Sequence, residues 1–283
     1  MTEVLRAETA GFCMGVDLAL RKLNSQVEAK DTSPIFTFGP IIHNPQVLAH
    51  YAARGVTESE SPSTIPAQSR AVIRAHGIPR LLEDQLRSKG VTLVDATCPK
   101  VKKAQLLIEK QTKQGRHLLL FGESDHPEVK GLLSYADAEA LVFDSLLQLQ
   151  GKDLAPEKRY FLASQTTQDR EEFRTIRDYL LEHVDASMPI FDTICDATRE
   201  RQVEAKRIAK QVDYMIVVGG LTSGNTRRLA QVITAQGTPC AHIEQADELP
   251  LPALTGVQRI GLTAGASTPK YIIDAVENRL REL

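Results

Sequence analysis

The chain has 283 residues, of which 42% are hydrophobic and 25% charged, and its net charge is −2. This is ample for a packed core, and the composition is that of an ordinary globular protein. Nothing here steers the chain toward nucleic acid or an anionic membrane: charge is nearly balanced, Trp is absent, and no apolar run reaches the ~20 residues that span a bilayer.

Strand and helix patterns alternate from end to end, as in α/β units with mostly parallel sheets. In chain order the spacing predicts a helix over Val16–Val27, a strand over Ile35–Phe38 and a helix over Pro45–Arg54. A polar excursion at Glu58–Ser69 precedes strands at Ala71–Ala75 and Thr92–Ala96. A helix at Lys102–Lys113, strands at Leu118–Phe121 and Tyr160–Ala163, and a helix at Arg170–Glu182 follow. The last third reads as helix Thr198–Gln211, strand Tyr214–Val218, helix Arg227–Ala235, strand Arg259–Thr263 and helix Lys270–Arg281.

One pattern recurs three times along this order. Cys13, Cys98 and Cys195 each precede a helical stretch, a β-like run and a glycine. The glycines, Gly39, Gly122 and Gly219, follow their cysteines by 26, 24 and 24 residues. Four residues beyond each glycine stands His43, His126 or Ser223. The repeat predicts three similar α/β units, at 13–97, 98–194 and 195–283, the last completed by residues 1–12. A pseudo-threefold, trefoil-like arrangement would bring the three thiols to its axis.

The N-terminus lacks the apolar core of a signal peptide, so a cytoplasmic location is expected. In a reducing compartment scattered cysteines are better metal or catalytic candidates than disulfide partners. Three convergent thiolates fit one face of an iron–sulfur cluster. Their wide spacing excludes the compact ferredoxin run and suits structural zinc poorly. Three protein ligands on a four-iron cluster leave one iron open, as catalytic metals do. Cys98 is followed by Pro99, a first-turn helix residue, so a thiolate there would gain from the helix N-terminus. Cys240 has no counterpart in the other copies and reads as core.

Parallel α/β sheets bind ligands beyond the carboxyl ends of their strands. His43-Asn44-Pro45, His126-Pro127-Glu128 and Ser223-Gly224-Asn225 all stand at such ends, before helices. Helix N-termini attract phosphate oxygens, so these residues and His76 form a candidate anion pocket. Glu128, in the first turn of its helix, could donate a proton to a bound substrate. Ser164-Gln165-Thr166-Thr167 and Ala264-Gly265-Ala266-Ser267 add hydroxyls at the remaining strand ends.

Together the motifs Gly11-Phe12-Cys13, Gly39-Pro40-x-x-His43-Asn44, Ala75-His76-Gly77, Asp95-Ala96-Thr97-Cys98-Pro99 and His126-Pro127-Glu128-Val129 resemble one family. So do Gln165-Thr166-Thr167, Cys195 with Ala197-Thr198, Ser223-x-Asn225 and Thr263-Ala264-Gly265-Ala266-Ser267. That family is the 4-hydroxy-3-methylbut-2-enyl diphosphate reductases, and the match runs in order from residue 11 to the C-terminus. The resemblance implies reductive dehydroxylation of the allylic diphosphate to isopentenyl and dimethylallyl diphosphate, with two electrons and two protons. It implies one [4Fe–4S] cluster held by Cys13, Cys98 and Cys195, with the substrate hydroxyl on the fourth iron. It assigns Glu128, His126 and Thr166 to proton delivery, and His43, His76, His126, Thr166, Ser223, Asn225 and Ser267 to substrate binding. Its implied electron donor is a ferredoxin or flavodoxin. Gly224, Leu221 and Gln105 depart from the family pattern. Two other readings use the same residues. One is a non-catalytic iron–sulfur sensor or diphosphate-binding regulator. The other is a zinc hydrolase built on His43, His76 and His126.

Overall fold

The computed structural model describes residues 2–136 and 139–283. Met1, in the expected 1–12 closure, and Asp137 and Ala138, in the expected second unit, lie outside the described residues. The chain is an α/β protein in which every strand pairing among the described residues is parallel. The first third carries β1 (Glu3–Arg6), α1 (Met14–Val27), β2 (Ile35–Phe38), α2 (Pro45–Ala52), β3 (Val56–Ser59), β4 (Arg70–Ile73), α3 (Arg80–Ser88) and β5 (Thr92–Asp95). Next come α4 (Pro99–Thr112), β6 (His117–Phe121), α5 (Pro127–Leu133), β7 (Ala140–Phe143), α6 (Leu146–Gln150), β8 (Tyr160–Ser164) and α7 (Arg170–His183). The last are α8 (Asp196–Ala209), β9 (Tyr214–Val218), α9 (Gly224–Thr234), β10 (Cys240–Ile243), α10 (Leu251–Leu254), β11 (Arg259–Ala264) and α11 (Lys270–Arg281).

The elements group into two compact units. The first comprises Met1–Asp17, Ile42–His50 and Cys195–Leu283; the second comprises Leu18–Ile41 and Tyr51–Ile194. The first holds one sheet, in the order β1-β11-β9-β10. The second holds two, β3-β2-β4-β5 and β7-β6-β8. All three share one plan. A central strand (β2, β6 or β9) pairs with the next strand on one side and the one after on the other. A fourth strand follows outside: β5 in one sheet, β1 in another. In the β6 sheet this fourth strand shrinks to a single parallel bridge, Leu162 with Ile190. Each fourth strand runs toward a cysteine: β5 to Cys98, the Ile190 bridge to Cys195, β1 to Cys13.

Alternation along the strands sets the layers. In β9, Ile216 and Val218 pack with Ile272, Ile273, Val276 and Leu280 of α11. Met215 and Val217 point the other way, onto Ala205 and Ile208 of α8 and Leu229 and Ile233 of α9. The β6 sheet repeats this: Leu119 and Phe121 meet α7 residues Phe173, Ile176 and Leu180, while Leu118 and Leu120 meet Ile108, Val129 and Leu132. Burial on both faces explains the near-continuous apolar runs of the central strands. Each such side chain contributes roughly 1.5–3 kcal/mol.

The Glu58–Ser69 excursion is partly structured, a difference from the sequence reading. Its start is the edge strand β3, and Ile65 is fully buried against Leu86 and Ile73. Among the described residues no helix is long and apolar enough to cross a membrane.

Candidate active site

The repeat glycines end the central strands. Gly39 (φ +71°) and Gly219 (φ +144°) use backbone that L side chains rarely adopt. Gly122 is fixed differently: a Cβ there would stand 2.9 Å from Val129 Cγ2. Each glycine therefore lets the chain leave its strand tightly and enter the next helix.

In the second unit the ends of neighbouring strands β6 and β8 meet. Beyond β6, His126 caps α5 through Nδ1, which accepts from the Glu128 N–H at 3.1 Å. The next turn places Glu128 wholly inside, at 0% exposure. Beyond β8, the Thr166 N–H donates to Glu128 Oε1 at 2.6 Å, and Thr166 Oγ1 donates to Oε2 at 2.9 Å. Burial pushes the Glu128 carboxyl up to about 7, against the two Thr166 hydrogen bonds that pull it down. Gln165 braces this corner: its N–H bonds Phe121 O at 2.9 Å, and its Oε1 accepts from Glu123 N at 3.0 Å. The His76 and His126 rings meet edge to face, centroids 5.2 Å apart. Thr166→Val removes one hydrogen bond to the charged form while leaving the backbone one. The Glu128 carboxyl is then expected to titrate higher by roughly one unit or more, read from its protonated carbonyl band in infrared difference spectra.

In the first unit the ends of β9 and β11 meet in the same way. Ser223 caps α9, its Oγ accepting from Thr226 N at 3.4 Å. Ser267 Oγ lies 3.5 Å from Ser223 Oγ and donates to the His43 carbonyl at 3.2 Å. Asn44 caps α2, with Oδ1 accepting from Val47 N at 3.0 Å. Two buried amide donors here, Asn44 Nδ2 and Asn225 Nδ2, have no hydrogen-bond partner among the described residues. Buried donors without partners are uncommon, and oxygen-rich anions would satisfy them. Gly224, a departure from the family pattern, is the first residue of α9 and adds only a backbone N–H. Leu221 is exposed, and its N–H bonds Glu244 at 2.7 Å. Gln105 is buried on α4, its Nε2 lying where a Cβ on Gly77 would stand 2.8 Å away.

None of the four cysteines forms a disulfide among the described residues. Cys98 and Cys195 occupy the N-cap positions of α4 and α8 with no side-chain cap hydrogen bond, and Pro99 opens α4. Cys13 immediately precedes α1, where Val16 N–H points at its sulfur at 3.5 Å. Helix N-termini of this kind favour negative charge. In the first unit, Arg201 is buried near both Cys13 and Cys195, and that burial holds its guanidinium below its usual range. Thiolate donors beside a buried guanidinium would suit an anionic iron–sulfur group. Among the described residues no three His, Cys, Asp or Glu side chains lie together so as to hold a metal ion. Cys240 is different: it begins the edge strand β10, packs against the α8–α9 core, and burial pushes its thiol up to about 11.

Arg201 and Glu204 escaped the reading from motifs. Their signal was the buried stripe of α8, in which Thr198, Arg201, Gln202 and Ala205 recur at helical spacing with charged or polar members inside.

The family model described as LytB protein matches residues 4–281. The chain belongs to the LytB family. A protein of Solidesulfovibrio magneticus named 4-hydroxy-3-methylbut-2-enyl diphosphate reductase is 58% identical over 282 residues, 98% of this chain and 99% of that one. A protein of Clostridioides difficile with the same name is 37% identical over 277 residues, 98% of each. The solved structure of the E-1-hydroxy-2-methyl-but-2-enyl-4-diphosphate reductase from Plasmodium falciparum matches with a TM-score of 0.93 at 25% identity. It covers 98% of this chain and 87% of that chain. A second solved structure, of an (E)-4-hydroxy-3-methyl-but-2-enyl diphosphate reductase described as the terminal enzyme of the non-mevalonate pathway, matches with a TM-score of 0.71 at 36% identity over both full chains.

Proposed function

We propose that this LytB-family chain reduces (E)-4-hydroxy-3-methylbut-2-enyl diphosphate to isopentenyl and dimethylallyl diphosphate. The balance is simple: the allylic C–O bond breaks, two electrons and two protons enter, and water and a new C–H bond result. A [4Fe–4S] cluster held by Cys13, Cys98 and Cys195 would supply electron storage and Lewis acidity when bound. The three α/β repeats that begin at these cysteines are part of the same reading. A small one-electron carrier protein, a ferredoxin or flavodoxin, would feed it.

The chain's own residues do the rest. Ser223, Asn225, Ser267, His43 and His76 hold the diphosphate, with Asn44 and Asn225 offering the unsatisfied buried amides. Glu128 holds the proton. Its Oε1 is committed to the Thr166 N–H, so the acidic proton sits on Oε2, facing Thr166 Oγ1 at 2.9 Å. Passing that proton to Thr166 frees the hydroxyl's own proton to turn toward the leaving oxygen. His126 orders the turn by capping it.

The observation that carries this reading is the buried Glu128 carboxyl, held by Thr166 and pushed up to about 7. That value keeps it a competent acid at neutral pH. The test is anaerobic turnover with a strong artificial reductant. Formation of both five-carbon diphosphates is expected. Iron-loaded protein that consumes no substrate would contradict an enzymatic role.

A further inference from the structure

Arg201 is 5% exposed, in the second turn of α8, and no carboxylate hydrogen-bonds it among the described residues. Its two terminal nitrogens are spent on carbonyls. Nη1 donates to Ala197 O at 2.9 Å, and Nη2 donates to Gly11 O at 2.6 Å. Ala197 lies two residues after Cys195, and Gly11 lies two residues before Cys13. One rigid fork therefore spans the two cysteine-bearing turns of the first unit. One turn further along α8, Glu204 grips the same N-terminal segment. It accepts from Glu8 N at 3.0 Å, from Thr9 N at 2.9 Å and from Thr9 Oγ1 at 2.6 Å.

A buried cation needs compensating charge, and two carbonyl dipoles supply only part of it. Burial is the largest influence on the Arg201 guanidinium and holds it below its usual range; the sulfurs of Cys13 and Cys195 stand close enough to offset this when they carry charge. We propose that Arg201 is a positioning residue of the cluster site: its fork ties the Gly11 turn to the Ala197 turn, and its buried charge offsets that of the two thiolates. The inference rests on the cluster reading above. Outer groups that orient metal ligands typically change metal affinity by about 10- to 100-fold when removed. A positive charge beside a cluster also favours its reduced, more negative state.

The test compares the full-length, cluster-loaded wild type with Arg201→Gln and Arg201→Lys. Two quantities are read: the cluster's midpoint potential by spectroscopically monitored titration, and the rate of iron loss to a chelator. Arg201→Gln is expected to shift the potential to more negative values and to lose iron roughly tenfold faster or more. Arg201→Lys keeps the charge but not the fork, so it should hold a near-wild-type potential and still lose iron faster. Loaded variants that match the wild type in both readings would overturn the inference alone. Should Arg201→Gln fail to fold, Arg201→Lys decides: faster iron loss at an unchanged potential supports the clamp, and wild-type iron loss overturns it. A wild type without iron would overturn the cluster reading, and the inference with it.

Discussion

Glu128→Gln is expected to lower kcat by roughly 100- to 10,000-fold, the range for removing a positioned proton donor. Iron content and substrate binding should stay near wild type, because the amide fills the same volume and its oxygen still accepts the Thr166 N–H. The same substitution has a stability signature of predictable sign. The native carboxyl titrates at about 7, above its ordinary 4.5. Between those values the native state keeps a proton that the unfolded chain has released, so its stabilising effect is full below 4.5 and lost as pH rises through about 7. Wild-type stability should therefore fall by about 2–3 kcal/mol from pH 5 to pH 8 relative to Glu128→Gln, read by denaturant unfolding of both proteins in the same loading state. Parallel stability–pH curves would mean that Glu128 ionises at an ordinary value.

Cys13→Ser, Cys98→Ser and Cys195→Ser are each expected to abolish stable cluster binding, and turnover with it. A serine hydroxyl stays protonated near neutral pH and is a hard oxygen donor, whereas iron–sulfur clusters are held by soft thiolates. Loss of any one ligand leaves two, too few for a durable site. Cys240→Ser is the internal control. Its thiol is pushed up to about 11 by burial, so it stays neutral, and its place at the start of the edge strand β10 gives it no counterpart in the repeat. Iron content and activity of Cys240→Ser should match the wild type. Loss of iron in Cys240→Ser, or retention in any of the other three, contradicts the ligand assignment.

The fold was legible where strands are buried on both faces. β2, β4, β6, β8, β9 and β11 read directly as apolar runs, and their glycines marked the turns that carry His43, His126 and Ser223. The strands that escaped notice, β1, β3, β7 and β10, all lie at sheet edges. Each has only four residues and a half-exposed pattern, such as Val56-Thr57-Glu58-Ser59, which reads as loop. The start of α5 was legible from His126-Pro127-Glu128, whereas α3 and the shorter α10 carry no such cap motif. The Asn44, His126 and Ser223 caps could be anticipated because cap chemistry is local. The Glu128–Thr166 pair depends on β6 and β8 being neighbours, with Phe121 opposite Ser164, and only the repeat hinted at that. Arg201 depends on two turns far apart in sequence being bridged by one side chain, and no local pattern encodes such a bridge.

The measurement that bears most directly on the central claim is iron and acid-labile sulfide in anaerobically purified protein. The three-cysteine reading predicts about four of each per chain, lost together in Cys98→Ser and kept in Cys240→Ser. Zinc in place of iron, or no metal at all under those conditions, would contradict the assignment of Cys13, Cys98 and Cys195 as cluster ligands.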